Sequence, residues 1–523
     1  MAAIGKNVIE NLTTAMYENA YTVYREYIQN SADSIDKAIA EGLISAEDAI
    51  IDINIEFNKR RITINDNAKG IPAERFVKIL TDIADSEKDP TKDKGFRGIG
   101  RLAGVGYCDT LIFKSSAVGE EVESVIEWDG KMLRDILGDS TQHPSASDFV
   151  DQITHSYQNK ASKEDHYFEV VMENVIPESD DLLDKSAVIK YLEAVAPIPF
   201  ANKFIYRSKI DEFCREKGVR IDEYIVQVNG NQLFKPYGTK IYDGSSEQKK
   251  VVDEIKDVEF REFRSKDGKL LAWMWFGISK FEQQIKPINE MRGIRLRKEN
   301  IQIGDESTLG ASPKFFKETR GNCYFIGEIY AVDSGLIPNA RRDYFKTNAT
   351  VKEFEDAVRM ILYYDLYKLY HYANQVKNAF QSQAEYEKKA VEFEKKVSEA
   401  GFVDEKDKSK AEKELEAAKE KAEKSVRTIE LRQQDAEENT TLSRVFNELK
   451  ESYKPEVPAE QPKTEKPKEE KNNEEKKYLT QNLSKYNKRE QKLITKIYTI
   501  IKAILPREMA DMVVAKIQEE LSK

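Results

Sequence analysis

At 523 residues the chain is too long for one hydrophobic core, and about 150 residues per domain gives three or four units. Hydrophobic residues make up 40% and charged residues 34%, an average that hides a split between globular and solvated segments. A formal charge of −10 argues against a chain-wide nucleic-acid coat, though not against a local basic groove; three widely separated cysteines (Cys108, Cys214, Cys323) exclude a disulfide scaffold and a cysteine zinc site.

The start, MAAIGKNVIE, has neither the basic region nor the apolar run of a signal peptide, and no stretch approaches ~18 uncharged apolar residues. The expectation is a cytoplasmic protein with no membrane partner. His143, His155, His166 and His371 share no metal-ligand spacing.

Helical signals come first, through Val8, Leu12 and Met16 and then from Tyr24 to Ile39. IDINIEF and RITIND each alternate with period two around a charged turn and predict a hairpin. A short amphipathic helix is expected from Phe76 to Ile83, a polar stretch from Asp85 to Lys94, and strands at DTLIFKSS, EVESVIEW and HYFEVVMENV. Helices over one largely antiparallel sheet is the natural architecture for residues 1–182.

Residues 183–350 read as a second α/β unit, entered at PIPF, with strands at EYIVQVNG, LLAWMWFGI, GIRLRKENIQI and CYFIGEIYAV. From 351 to 451 the pattern is helical. No Gly or Pro occurs over 351–399, Gly401 stops the run, and residues 411, 415, 418, 422, 425 and 429 form a thin heptad-like seam. This predicts a coiled-coil-like antiparallel hairpin. Residues 452–477 carry four prolines and almost no apolar side chains, the composition of a disordered linker. In 478–523, Leu483, Tyr486, Leu493, Ile497, Ile500 and Ile504 line one helix face, Pro506 breaks the run, and Met509, Val513, Ile517 and Leu521 line another. Such a unit is too small to bury both stripes alone, which predicts a dimerisation module.

Three motifs in the first 110 residues carry the chemistry. In REYIQNSADSID, Glu26, Asn30 and Asp33 fall at i, i+4 and i+7 on one face of a helix whose other sides are covered by Tyr24, Tyr27, Ile28 and Ile35. Buried carboxylates need partners, and a cation or polar ligand supplies them. In INDNAKGIP, Asp66 closes a strand, while Ala68 and Gly70 let the next turn pass close to a ligand. In GFRGIGRLAGVG, Gly95, Gly98 and Gly100 open a helix whose free N–H groups would cradle phosphates, with Arg97 and Arg101 adding charge. The glycine spacing excludes a Rossmann fingerprint, and a Walker A loop is absent.

The order ExxxNxxD, DxAxG, GxxGxG resembles the nucleotide site of the GHKL superfamily: gyrase B, the ninety-kilodalton heat-shock chaperones, histidine kinases and MutL. The resemblance implies an α+β protein with a Bergerat-fold α/β sandwich that binds ATP and Mg²⁺. It implies that Glu26 is the general base, that Asn30 holds Mg²⁺, and that Asp66 accepts from the adenine amine beside Ala68 and Gly70. Asp33 shares the site, and Gly95, Arg97, Gly98, Ile99, Gly100 and Arg101 belong to the phosphate loop within a lid over 85–107. EIYAVDSGLIPNARRDYF resembles the middle (transducer) domain of the heat-shock 90 chaperones, where a catalytic arginine falls at Arg342 or its neighbour Arg341. RLAGVGYCD is similar to prokaryotic heat-shock-90-like ATPases. The departures are Ala68 in place of the first adenine-loop glycine and no Gly-Thr near Tyr167–Val170. The expected function is a homodimeric ATPase clamp closing around a protein client. Its rival is a DNA-entrapping clamp of the MORC or MutL kind, in anti-phage defence or repair.

Overall fold

The computed structural model describes residues 19–82, 100–139, 141, 144–245, 247–310, 314–398, 401–402, 405–453 and 485–522. The helix expected through Val8, Leu12 and Met16, most of the lid including Gly95, Arg97, Gly98 and Ile99, and nearly all of the linker lie outside these residues. The chain divides into two compact units, residues 1–367 and 368–523.

In the first unit, helix α1 (Thr22–Ala40) buries Val23, Tyr24, Tyr27, Ile28, Ala32, Ile35 and Ala38. It ends where Gly42 adopts φ +73°, with Gly42 N–H donating to Ile39 O and Leu43 N–H to Ala38 O, a Schellman closure. Strands β1 (Ile50–Glu56) and β2 (Arg61–Asp66) pair antiparallel, Ile51 opposite Asp66 and Ile55 opposite Ile62. Period two buries Ile62 and Ile64, and it carries Asp66 to the same face. A polar residue therefore sits in core phase at the end of the strand.

Helix α2 (Ala73–Thr81) follows, then β3 (Cys108–Ser116), β4 (Val122–Asp129), α3 (Gly130–Gly138), α4 (Ala146–Ile153), β5 (Thr154–Lys160), β6 (Tyr167–Val175), α5 (Lys185–Val195), α6 (Arg207–Lys217), β7 (Ile225–Val228) and β8 (Asn231–Gln232). The strands form one eight-stranded sheet in the order β5-β4-β3-β6-β2-β1-β7-β8, with β1–β7 parallel and the other pairs antiparallel. Side chains from α1, α2, α3, α4 and α5 share one core with it.

The edge of this core does not coincide with the boundary expected at 182/183. Helix α5 packs into it through Val188, Leu192 and Val195, and EYIVQVNG joins its sheet as β7. Parallel pairing between strands 175 residues apart leaves no local trace in sequence, which is why the segment reads as part of the next domain.

The second sheet holds β11 (Asp257–Arg264), β12 (Leu270–Ile278), β13 (Gly293–Lys298), β14 (Ile301–Ile303) and β15 (Ile326–Ala331) in the order β11-β12-β15-β13-β14. A small hairpin, β9 (Lys240–Asp243) and β10 (Lys250–Glu254), lies before it in the chain. Trp273, Trp275, Phe200, Phe204, Tyr237 and Ile255 fill its core. Helix α7 (Ala349–Arg359) runs into a π-helical turn over Met360–Leu366. The first unit is thus mixed α+β and sheet-rich, and long helices follow it.

In the second unit, α8 (Tyr367–Ser398) and α9 (Glu405–Glu438) run antiparallel. The Tyr372 hydroxyl donates to Arg432 O (2.7 Å), Gln383 Nε2 reaches Ala422 O and Ser425 Oγ (both 2.9 Å), and Phe393 meets Phe402. Ala418, Ala422 and Ser425 of the thin seam are buried. Helix α10 (Thr440–Ser452) folds back with Phe446 against Phe380. Helices α11 (Lys488–Ile504) and α12 (Arg507–Ser522) pair through Tyr498, Val514, Ile494, Ile501, Ile517 and Leu521. Ile517 and Leu521 therefore face inward, while Leu493, Ile504 and Met512 remain 62%, 73% and 65% exposed. No described helix is long and apolar enough to cross a membrane.

Candidate functional site

Asp66 is only 1% exposed. Its Oδ1 accepts the Ala68 N–H (3.2 Å), and its Oδ2 has no hydrogen-bond partner among the described residues. Burial drives its carboxyl up to about 7, with the nearby Ser31 hydroxyl and the Ala68 N–H pulling the other way. An orphan buried acceptor costs roughly 1–3 kcal/mol, more when charged, and a bound donor removes that cost. The exocyclic amine of adenine is such a donor.

The loop after Asp66 is held from several sides. Asn67 accepts from Ile50 N–H (2.8 Å) and donates to Asp48 O (2.7 Å), His166 Nδ1 meets Ala68 O (2.8 Å), and Ile71 N–H donates to Ser115 Oγ (2.7 Å). Gly70 has φ +69°, and a Cβ there would lie 2.0 Å from Ser116 O, so only glycine fits. Ala68 in place of the first glycine is fully buried. Of the GxxGxG segment, Gly100 and Arg101 are described. A Cβ on Gly100 would stand 2.3 Å from Glu26 Oε2, so the missing side chain lets the backbone at Gly100 lie against that carboxylate. The Tyr27 hydroxyl donates to Arg101 O and accepts from Gly104 N–H (both 3.0 Å), while Arg101 Nη2 donates to Asp82 O (2.6 Å).

Glu26 is joined by Arg25, whose Nη2 lies 3.5 Å from Glu26 Oε1 and 3.3 Å from Arg341 O. The loop carrying Arg341 and Arg342 follows β15 and closes on itself through Asn339 N–H to Tyr344 O and Lys346 N–H to Ile337 O (both 2.8 Å). Its tip places Arg342 at φ +55°, uncommon for a residue with a side chain, and Gly304 N–H donates to Arg342 O (2.7 Å). Arg342 is buried and Arg341 exposed. Burial pulls the Arg342 guanidinium below its ordinary value; the carboxylates of Glu26, Glu299 and Asp33 oppose that, and Arg25 adds to it. Glu26, Asp33 and Arg342 are thereby brought into one electrostatic neighbourhood with Arg25. Asn30 is half-buried one helical turn beyond Glu26.

Sequence reasoning missed Arg25, Tyr27 and His166. Arg25, Gln29 and Asp33 fall at i, i+4 and i+8 and are all buried, so a polar stripe within a largely apolar helix was the available signal. No group of three or more His, Cys, Asp or Glu able to hold a metal occurs among the described residues.

The family model described as histidine kinase-, DNA gyrase B-, and HSP90-like ATPase matches residues 17–158. The N-terminal part of the chain is thus a GHKL, HSP90-like ATP-binding domain. The chaperone protein HtpG of Legionella pneumophila (strain Lens) is 28% identical over 144 residues, which is 24% of this chain and 23% of that protein. HtpG of Coxiella burnetii (strain RSA 331) is 28% identical over 142 residues, 24% and 22% of the two chains, and HtpG of Vibrio atlanticus is 25% identical over 141. The match thus spans less than a quarter of the length of these relatives.

Proposed function

We propose that the chain is a Mg²⁺-dependent ATPase working as a dimeric clamp, in which ATP closes two nucleotide domains around a protein client. The observation that carries this reading is Arg25, whose Nη2 joins Glu26 Oε1 (3.5 Å) to Arg341 O (3.3 Å) and so ties Glu26 to the loop of the buried Arg342, more than 300 positions away in sequence. Phosphoryl transfer to water needs a carboxylate and a guanidinium brought to one phosphate: one group to orient the nucleophile and one to stabilise charge on the transferring phosphoryl.

In this mechanism Asp66 Oδ2 accepts from the adenine amine and selects the base. Glu26 orients the attacking water and takes its proton. Asn30 would hold Mg²⁺, which supplies charge neutralisation between the phosphate groups. Gly100 and Arg101 belong to the lid that excludes water, and Arg25 is a positioning residue joining Glu26 to the arginine loop. Asp33 adds negative charge that favours the Arg342 cation. The stripe of Leu493, Ile497, Ile500, Ile504, Met509 and Met512, all exposed on α11 and α12, supports a permanent pairing of two copies at the tail.

Single-turnover hydrolysis tests the reading. Glu26→Ala should bind ATP near normally and turn over at least about a hundredfold more slowly, within the range expected for lost general-base catalysis. Unchanged turnover would remove Glu26 from the mechanism.

A further inference from the structure

The ladder between β2 and β6 starts with Ile62 opposite Met172 and ends with Asp66 opposite Phe168. Carried two places further, the same antiparallel register would set Ala68 opposite His166. Backbone pairing stops short of that point, as the chain turns away through Gly70 at φ +69°. A side chain takes its place: Nδ1 of the half-buried His166 lies 2.8 Å from Ala68 O. A carbonyl oxygen only accepts, so Nδ1 carries the proton and Nε2 is the acceptor of the neutral ring.

The imidazole stands on a fixed base. Tyr167, the next residue, opens β6 opposite Ser116; its carbonyl accepts from Ser115 Oγ (3.0 Å) and its hydroxyl donates to Glu123. Ser115 Oγ also accepts the Ile71 N–H (2.7 Å). The start of β6 therefore grips the loop after Asp66 twice, at Ala68 through His166 and at Ile71 through Ser115.

The grip at Ala68 bears on Asp66. Ala68 is fully buried, and its N–H is the partner of Asp66 Oδ1, which leaves Oδ2 as the orphan. A carboxylate held at one oxygen cannot rotate without losing that bond, so the position of Ala68 sets the direction of Oδ2. At 3.2 Å the Ala68–Asp66 bond is long for N–H···O and holds the residue weakly by itself.

We propose that His166 is a specificity-determining positioning residue: by fixing Ala68 it aims Asp66 Oδ2 at the 6-position of a purine and so selects an amino group there over a carbonyl. The inference rests on the adenine reading of Asp66. Guanine sets a carbonyl oxygen where adenine has its amine, and acceptor facing acceptor discriminates only when the carboxylate is unable to turn aside. The role also accounts for a departure in sequence. With no Gly-Thr near Tyr167–Val170, the chain secures the loop through an imidazole instead.

The test is calorimetric titration of ATP and GTP, with Mg²⁺, into the full chain and its His166→Phe, His166→Gln and His166→Asn variants. Measurement at about pH 8 keeps Asp66 ionised, above its value of about 7. Phenylalanine keeps a ring without the donor, glutamine carries its amide one carbon too far, and the asparagine amide sets an N–H close to where Nδ1–H stands. His166→Phe and His166→Gln should each lose about three- to tenfold of the preference for ATP over GTP, the worth of one neutral hydrogen bond, and His166→Asn should keep it. A merely structural His166 would lower the thermal midpoint and weaken both nucleotides alike, and an unchanged ratio in the Phe and Gln variants overturns the proposal. So does an asparagine variant that discriminates no better than they do. Asp66→Asn, titrated alongside, separates the two claims. If it abolishes a preference that His166→Phe and His166→Gln retain, the adenine reading stands and the role of His166 falls; a full chain indifferent to the base removes both.

Discussion

Two buried carboxylates, one in each sheet, make an instructive contrast. Glu328 on β15 is fully buried, and so are its partners. Lys235 Nζ lies 2.8 Å from its Oε2, Arg297 binds its other oxygen, and the Tyr330 hydroxyl donates to it as well. Burial works against ionisation of Glu328, but Arg297 and Lys235 outweigh it and its carboxyl falls to about 2. Arg297 also donates to Asn300 O and to Ala194 O at the end of α5 (both 2.9 Å), tying the second sheet to the first. Asp66 is equally hidden, yet one oxygen is orphaned and its carboxyl rises to about 7. A satisfied buried charge belongs to structure, whereas an orphaned one is held ready for a ligand.

Removing each acid should separate the two roles. Glu328→Gln leaves Lys235 and Arg297 buried without their counter-charge and should cost about 3–5 kcal/mol, read as a large drop in denaturant midpoint. Asp66→Asn should hardly lower stability but should weaken ATP binding by roughly ten- to hundredfold, equivalent to about 1.5–3 kcal/mol for a charged hydrogen bond. Equal stability losses in the two variants would dissolve the contrast.

The pH dependences should have opposite signs. Asp66 has a native value of about 7 against an ordinary 3.8, so the folded form holds a proton that the unfolded chain has released. Its contribution to stability is complete below about 4 and is lost as pH rises through 7. Glu328, at about 2 against 4.5, contributes stability above 4.5 that is lost as pH falls toward 2. Since an amine donor favours ionised Asp66, ATP binding should release protons near pH 7 and weaken as pH drops below it. Asp66→Asn should flatten that profile. Calorimetry in buffers of different ionisation enthalpy reads both effects.

The local placement of the first two motifs was legible because helix and strand periodicity fix it. Glu26, Asn30 and Asp33 share a helix face, Asp66 closes a strand in core phase, and Gly70 follows in a turn that only glycine can make. Arg341 and Arg342 could not be ranked from sequence, because their burial is set by the positive φ of Arg342 at the tip of a loop held by Gly304. The membership of β7 in the first sheet was hidden for the related reason that nothing local encodes a parallel partner. The Lys235–Glu328–Arg297 cluster was equally hidden, since three charges from separate strands and loops carry no spacing signal.

Smaller effects concern the arginine loop and the tail. Arg342→Ala should bind ATP but hydrolyse it slowly at every protein concentration. Deleting 478–523 should yield a monomer by light scattering whose turnover recovers as concentration rises, because the nucleotide domains remain intact. A truncated chain that stays dimeric would remove the tail from the account.

The claim that the orphan oxygen of Asp66 marks an adenine site is tested most directly by titrating ATP and GTP, with Mg²⁺, into the full chain and into Asp66→Asn. The account predicts that the full chain binds ATP well and GTP poorly, and that the substitution removes most of the difference by weakening ATP. Equal affinity for the two nucleotides in the full chain, or ATP binding unchanged in Asp66→Asn, would contradict it.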